Sequence, residues 1–392
     1  MFRIGQEEKE AVCRVIDSGS LFKTGKGVES ETYLLQKKMR EWYGVEHALV
    51  LTSGVGALTS AMIAMGIGPG DEVIVPAYTY IATVGCVLSV GAIPVVAEVD
   101  ETMMIDPADV EKKITSRTKA IVPVHMVGFP CNMEAIMAVA KKHGLYVLED
   151  TAQGNGASYH GKKCGTYGDI AALSFNFYKI LSAGEGGGLL TNNQELYEKA
   201  FLYHDCYALS GFEGETADFT TEPFLGNEYR CTEITSAILR VQYDRLPILV
   251  EDLNSNKKKL LAALEGKFRH IPMNDADGDS AINAAFVFDT AEQCYGFRDR
   301  YNEKYGIKFA IPGSSRRHIY YDWGAINAGR GAAHPAMDPF RHPANADILR
   351  SYTRETCPFS IAYLERCMNF EIDPDWTDED IQLQADKLIS CL

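Results

Sequence analysis

Between Gly44 and Asn192 the chain repeats one pattern: a short run of Val, Ile and Leu, then a stretch with apolar residues at helical spacing. The runs are His47–Thr52, Glu72–Ala77, Ile93–Val99, Ala120–Met126, Leu145–Asp150, Ile170–Phe175 and Gly187–Asn192. They show little polar–apolar alternation, as expected of strands covered on both faces. Helical patterns such as Leu58–Met65 and Met133–His143 separate them. Strands joined through helices pair in parallel, so the pattern predicts an α/β fold with a mostly parallel sheet. Asn193–Leu246 reads as helical, broken by a polar loop around Gly211–Glu222. Beyond Pro247 lie a helix (Leu253–Leu264), a strand-like run (Ala284–Thr290), a long loop rich in Gly, His and aromatics (Ile311–Ala344) and a terminal helix. A large domain over 1–246 and a smaller α+β domain over 247–392 are expected. No internal repeat or low-complexity tract is visible.

With 53 acidic against 38 basic residues, the net charge of −15 disfavours nucleic acid and anionic membrane surfaces as partners. A small anionic ligand stays compatible, because a local pocket can oppose the global charge. The stretch Val73–Ala97 carries no charged residue, but Pro76, Gly85, Gly91 and Pro94 interrupt it and its ends read as two strands rather than a membrane span. The start, MFRIGQEEKEAV, has no basic-then-apolar leader. Ten cysteines are scattered without CxxC spacing, which points to reduced thiols and a cytoplasmic location. No His/Cys cluster has zinc spacing, so no metal is expected.

Lys179 sits in SFNFYKILSAGEGGG, just past an apolar run and before glycines at 184, 186, 187 and 188. Most lysines are solvated; here Phe175, Phe177 and Tyr178 would form an apolar wall that lowers the amine pKa, as Schiff-base chemistry requires. Asp150 ends a buried strand, where open α/β sheets bind ligands; a helix cap is the plainer alternative. A carboxylate there can keep the ring nitrogen of a cofactor protonated, and Gln153 can donate to a ring hydroxyl. Thr52-Ser53-Gly54 joins a strand to a helix, the makings of an anion site. Tyr80 is either core packing or a face for a planar ring. Gly156–Lys162 matches GxxxxGK, but Lys163 stands where the Mg²⁺-binding Ser/Thr belongs, no apolar strand leads into it and no helical pattern follows, so a phosphate loop is not expected.

Taken in order, these segments resemble the DegT/DnrJ/EryC1/StrS family of sugar aminotransferases across almost the whole chain. The similar segments include IDSGSLFKTGKGVESE, LTSGVGALTSAM, GPGDEVIVPAYTYIATV, GAIPVVAEVD, KAIVPVHMVGFPCNM, LEDTAQGNGASYHGKKCGTYGDIAALSF and the lysine segment. The resemblance implies a pyridoxal-phosphate-dependent transferase of fold type I and a homodimer with active sites at the subunit interface. It implies that Lys179 holds the cofactor covalently, Asp150 pairs with its ring nitrogen and Gln153 lies by its ring hydroxyl. Ser53, Gly54 and Ser174 would hold the phosphate, and Tyr80 would stack on the ring. The implied reaction is a ping-pong transfer of an amino group from glutamate or glutamine to a keto-sugar. Related dehydratases carry His at the lysine position; Lys179 favours transamination.

Two departures stand out. Ser53-Gly54-Val55 replaces the family's usual SGT, and Gly226-Asn227-Glu228-Tyr229-Arg230 replaces G-x-N-Y-R. In the family the Asn reaches the neighbouring subunit's cofactor phosphate. Glu228 would repel it, so either Asn227 substitutes or Glu228 points elsewhere. Arg316, Arg317, His318 and Tyr320 fall where the family contacts substrate, and suggest an anionic keto-sugar, most readily a nucleotide-linked one. A keto-sugar acid, a cyclitol ketone, or a non-catalytic cofactor-binding regulator are the alternatives.

Overall fold

The computed structural model describes residues 3–22, 30–206, 216–348 and 351–392. Part of the segment IDSGSLFKTGKGVESE and part of the polar loop expected at Gly211–Glu222 lie outside the described residues. All seven expected strands form: β1 His47–Leu51, β2 Glu72–Pro76, β3 Ile93–Ala97, β4 Thr118–Ile121, β5 Tyr146–Asp150, then, after a short hairpin, β8 Ile170–Ser174 and β9 Gly187–Thr191. The hairpin, β6 Ser158–Tyr159 with β7 Lys162–Lys163, is the GxxxxGK segment, folded as two antiparallel strands rather than a phosphate cradle.

The sheet order is β1-β9-β8-β5-β4-β2-β3. Only β9 runs against its neighbours; β8, β5, β4, β2 and β3 pair in parallel. Hence β1, β5 and β8 end at one edge of the sheet, and the loops leaving them converge there. The charge-free stretch Val73–Ala97 becomes β2, the helix Ile81–Ser89 and β3. Among the described residues no helix is long and apolar enough to cross a membrane.

One expectation needs correcting. The helix expected at Leu253–Leu264 is the end of a helix that spans Glu233–Ala263, with Pro247 inside it. At 1.5 Å per residue its 31 residues reach about 46 Å. Proline removes one intrahelical hydrogen bond. Leu239, Leu246, Leu253 and Leu260, seven residues apart, are all fully buried and carry one apolar stripe across the break. The boundary at 246/247 therefore falls within a continuous helix.

After it, β10 Asn283–Val287 pairs antiparallel with β11 Cys367–Glu371, a strand the sequence did not announce. Helices Ala291–Tyr305 and Asp378–Ile389 flank this pair, and Phe286, Phe297, Tyr301 and Phe370 pack beneath it. The long loop holds only short turns and the one-turn helix Gly324–Asn327, yet it is anchored at both ends of the sheet. Residues 315–320 bond to the exit of β2, through Thr79 N–H to His318 O (2.9 Å), Ile81 N–H to Arg317 O (2.8 Å) and Tyr320 N–H to Ala77 O (3.2 Å). At the opposite edge the Asn345 side chain accepts from Gly70 N–H and donates to Gly91 O.

Candidate active site

Four strand exits meet at the common edge. After β1, Ser53 caps the helix Gly54–Ala64: its Oγ accepts from Gly56 N–H at 3.0 Å, and no acidic residue occupies the first turn. The free N–H groups and the helix dipole make that end attractive to an anion. Ser174 ends β8 beside it, so close that a Cβ on Gly54 would lie 2.9 Å from Ser174 Cβ. Behind them, a Cβ on Gly187 would lie 2.1 Å from Ser53 O, which is why β9 opens with glycine. The result is a cradle of backbone and two hydroxyls that larger side chains would fill.

Lys179 follows on a tight turn closed by Phe175 N–H to Gly186 O and Phe177 N–H to Gly184 O, both 2.9 Å. Burial pulls its amine below the ordinary lysine pKa, and the Asp150 carboxylate partly opposes that shift. The expected apolar wall is not built as foreseen. Phe175 is fully buried, but Phe177 and Tyr178 are 58% and 77% exposed in the single chain.

Asp150, at the tip of β5, is buried. Its Oδ2 accepts from Thr83 Oγ1 (2.7 Å) and its Oδ1 from Ala152 N–H (3.1 Å). Burial pushes its pKa up; the bonds from Thr83 and Ala152, then the nearby Lys179 and His125, draw it down. Among the described residues it makes no ion pair, so each oxygen of this buried carboxylate keeps acceptor capacity for a cationic N–H donor. Gln153 accepts from Val127 N–H through Oε1 at 3.0 Å, leaving its NH₂ group to donate. Val127 holds a left-handed backbone, φ 51°, unusual for a β-branched residue.

Tyr80 precedes the helix Ile81–Ser89 and is partly exposed, its ring 5.4 Å from that of His318. His318 Nδ1 bonds to Ser315 Oγ at 2.7 Å. Burial, with the charges of Lys179 and Arg317, lowers its pKa to about 4, so it is a neutral imidazole at pH 7. Arg316 and Arg317 are exposed and make no ion pair among the described residues. Tyr320 departs from expectation. It is fully buried, its hydroxyl donates to Thr353 O (2.7 Å) and accepts from Cys357 N–H (3.0 Å), and it is a core residue rather than a substrate contact.

The segment 226–230 runs past the end of β1, with Thr52 N–H bonded to Tyr229 O at 2.9 Å. Asn227 is exposed, its side chain donating to Tyr203 OH at 2.6 Å. Glu228 turns back onto Arg230, receiving Nε at 2.6 Å and Nη2 at 2.7 Å, while Arg230 Nη1 reaches Asp205 at 2.9 Å. Its carboxylate is thus paired within its own segment, on a guanidinium that it shares with Asp205.

The sequence reading did not single out two supports of this site. Thr79 and Thr83 line up behind Asp150. Glu149 lies fully buried on the other face of β5, where it accepts backbone N–H groups of Gly165, Tyr167 and Gly168 and the Nε2–H of His125. The TYIAT spacing and the VHMVG segment were the available signals.

An anion cradle, a desolvated amine and a buried carboxylate beside a free amide donor fit a phosphorylated pyridine aldehyde, and similar proteins agree. The chain is 40% identical over 353 residues to the GDP-perosamine synthase of Caulobacter vibrioides, covering 88% of this chain and 87% of that protein. The aminotransferase from Psychrobacter cryohalolentis superposes with a TM-score of 0.80 at 28% identity, over 99% of this chain and 97% of that one. The 3-amino-5-hydroxybenzoic acid synthase does so equally, at 27% identity and the same coverage. The sequence profile that matches residues 3–300 is that of the DegT/DnrJ/EryC1/StrS aminotransferases. The pocket's chemistry and these likenesses converge, and the chain belongs to that family, an enzyme with pyridoxal phosphate as its cofactor.

Proposed function

We propose that this enzyme moves an amino group from glutamate or glutamine to a nucleotide-linked keto-sugar, with Lys179 as its catalytic residue. The observation that carries the reading is the facing pair at the strand exits: a desolvated amine at Lys179 and a buried, unpaired carboxylate at Asp150. Bound pyridoxal phosphate supplies an electron sink and carries the amino group between the two substrates. Asp150 holds the proton on the ring nitrogen. Gln153 donates from Nε2 to the ring hydroxyl, and Tyr80 covers the ring face. Ser53, Gly54 and Ser174 hold the phosphate. Lys179 Nζ, its pKa lowered by burial, takes a proton from the substrate carbon and returns it on the other side of the transfer.

His318, neutral at working pH, and the guanidinium groups of Arg316 and Arg317 face the acceptor substrate. Two unpaired arginines suit a diphosphate, and the similarity to a GDP-perosamine synthase supports a nucleotide-linked sugar. The enzyme works as a homodimer, the partner covering the site mouth and Asn227 reaching across to the neighbouring phosphate. Val55, Phe177, Tyr178 and Leu225, large apolar side chains exposed in the single chain, support a covered mouth. Ten unpaired thiols support a cytoplasmic setting.

The purified protein should be yellow, and borohydride should fix the cofactor to a single peptide. Recovery of the label on a peptide lacking Lys179 refutes the site.

A further inference from the structure

Asp150 is buried at the tip of β5, and what holds its carboxylate is a line of two hydroxyls. Thr83, in the first turn of the helix Ile81–Ser89, lies with Oγ1 2.7 Å from Asp150 Oδ2. Thr79 lies with Oγ1 2.7 Å from Thr83 Oγ1. Both threonines are buried, at 0% and 1% exposure, so water does not complete either hydroxyl.

Counting hydrogens gives the line a direction. An ionised carboxylate only accepts, so Thr83 must give its single hydrogen to Asp150. Its oxygen is then an acceptor, and Thr79 must donate to it. The alternative acceptor for Thr79, Tyr80 O, is at the 3.5 Å limit of a hydrogen bond. Asp150 Oδ1 takes Ala152 N–H, so each carboxylate oxygen holds one internal donor and keeps a lone pair for a third. A protonated Asp150 donating from Oδ2 would reverse the line and leave the Thr79 hydroxyl only the 3.5 Å contact to Tyr80 O. The line therefore favours the charged carboxylate against the burial that disfavours it.

We propose that Thr83 is a positioning residue that keeps Asp150 ionised and aimed at the cofactor's ring nitrogen, with Thr79 fixing the direction of its hydroxyl. This rests on the reading that Asp150 faces that nitrogen. Thr79 also ties the line to the substrate loop, since its N–H donates to His318 O at 2.9 Å.

The test loads the protein with cofactor labelled with ¹⁵N in the ring and reads the nitrogen's chemical shift. The parent should give the shift of a protonated ring nitrogen. Thr83→Val, nearly isosteric but without the donor, should move it toward the unprotonated value and lower kcat about 10–100-fold. KM for the amino donor should stay within about threefold, and Thr83→Ser should restore both readings. Thr79→Val, which leaves Thr83 in contact with Asp150, should move the shift part of the way. If Thr83→Val does not load the cofactor, Thr79→Val carries the test alone. A merely structural role would lower thermal stability or cofactor affinity and leave the shift in place; an unmoved shift with cofactor fixed at Lys179 overturns the proposal. Borohydride fixation at another lysine overturns the site reading, and this proposal with it.

Discussion

Glu149→Gln is the substitution whose cost the structure defines best. The carboxylate is fully buried, and both oxygens are used twice. Oε1 accepts Tyr167 N–H (2.6 Å) and Gly168 N–H (2.7 Å), while Oε2 accepts Gly165 N–H (2.7 Å) and the His125 ring nitrogen Nε2 (3.1 Å). Glutamine keeps one acceptor and puts an NH₂ group where the other was. Whichever way it turns, two donors face a donor. His125 cannot relieve the conflict by changing tautomer, because its Nδ1 already accepts Cys131 N–H at 3.1 Å. Each buried donor left unmet costs about 1–3 kcal/mol, so the change should cost about 2–6 kcal/mol. With an unfolding entropy of about 2.1 cal/mol/K per residue, the melting temperature should fall by about 2–7 °C. Differential scanning calorimetry of the cofactor-loaded and cofactor-free proteins measures this, and both should fall together. A loss under about 1 kcal/mol in both would refute the accounting, because it would mean the loop 165–168 finds other acceptors.

Arg316→Ala and Arg317→Ala should each raise KM for the sugar half-reaction with less effect on the glutamate half-reaction, as stopped-flow measurement of each half would show; unchanged sugar binding in both would make them surface charge. In mixed dimers, a Lys179→Ala chain paired with a chain altered at Asn227 or Arg230 should regain part of its activity; no rescue after proven subunit exchange counts against a shared site. His270 is neutral in the fold, donating from Nδ1 to Ile271 O and accepting Ala285 N–H at Nε2, with its pKa lowered to about 4 by burial and by Lys257. The unfolded chain takes up the proton first, so this stability is present above pH 6.5 and is lost as pH falls toward 4. It amounts to up to about 3 kcal/mol at ~1.36 kcal/mol per pH unit. His270→Gln should flatten that part of a urea-unfolding profile against pH; an unchanged slope would contradict it.

The sheet was legible because buried parallel strands must be continuous apolar runs, and each of the seven runs sits where a strand forms. Their ends were less legible. The run Ala120–Met126 suggested a strand running on to Met126, but Pro123 has no N–H to extend the ladder, and β4 ends at Ile121. At Pro247 the same residue type misled the other way: the leucine stripe outweighed one missing bond, and the helix continued. β11 escaped notice because Asn369 interrupts its apolar residues and its partner strand lies some eighty residues earlier. Lys179, Asp150 and Gln153 could be singled out in the sequence because their residue types and strand-end positions suit the chemistry proposed for them. Thr83 was not, since a threonine in a first helical turn looks like any other. Only the fold brings it 2.7 Å from a carboxylate 67 residues away. Glu149 and Asp150 show the same limit: adjacent strand residues face opposite ways, and sequence alone does not say which faces the ligand.

Glu228 illustrates how an acidic chain can hold an anionic cofactor. In the family pattern this position carries an amide, and a free carboxylate there would repel phosphate. The structure closes that charge onto Arg230 in two hydrogen bonds, and the same guanidinium reaches Asp205. What remains directed at the cradle is the N-terminal end of the helix Gly54–Ala64, with no acidic residue in its first turn. Fields from exposed charges fade over a Debye length of about 8 Å at physiological salt. The net −15 spread over the whole surface therefore does little to cancel a positive potential built from groups that line the pocket itself. Local pairing, rather than global charge, governs what such a pocket attracts, and the pairing of Glu228 with Arg230 is the feature that would let Glu stand where the family pattern has an amide.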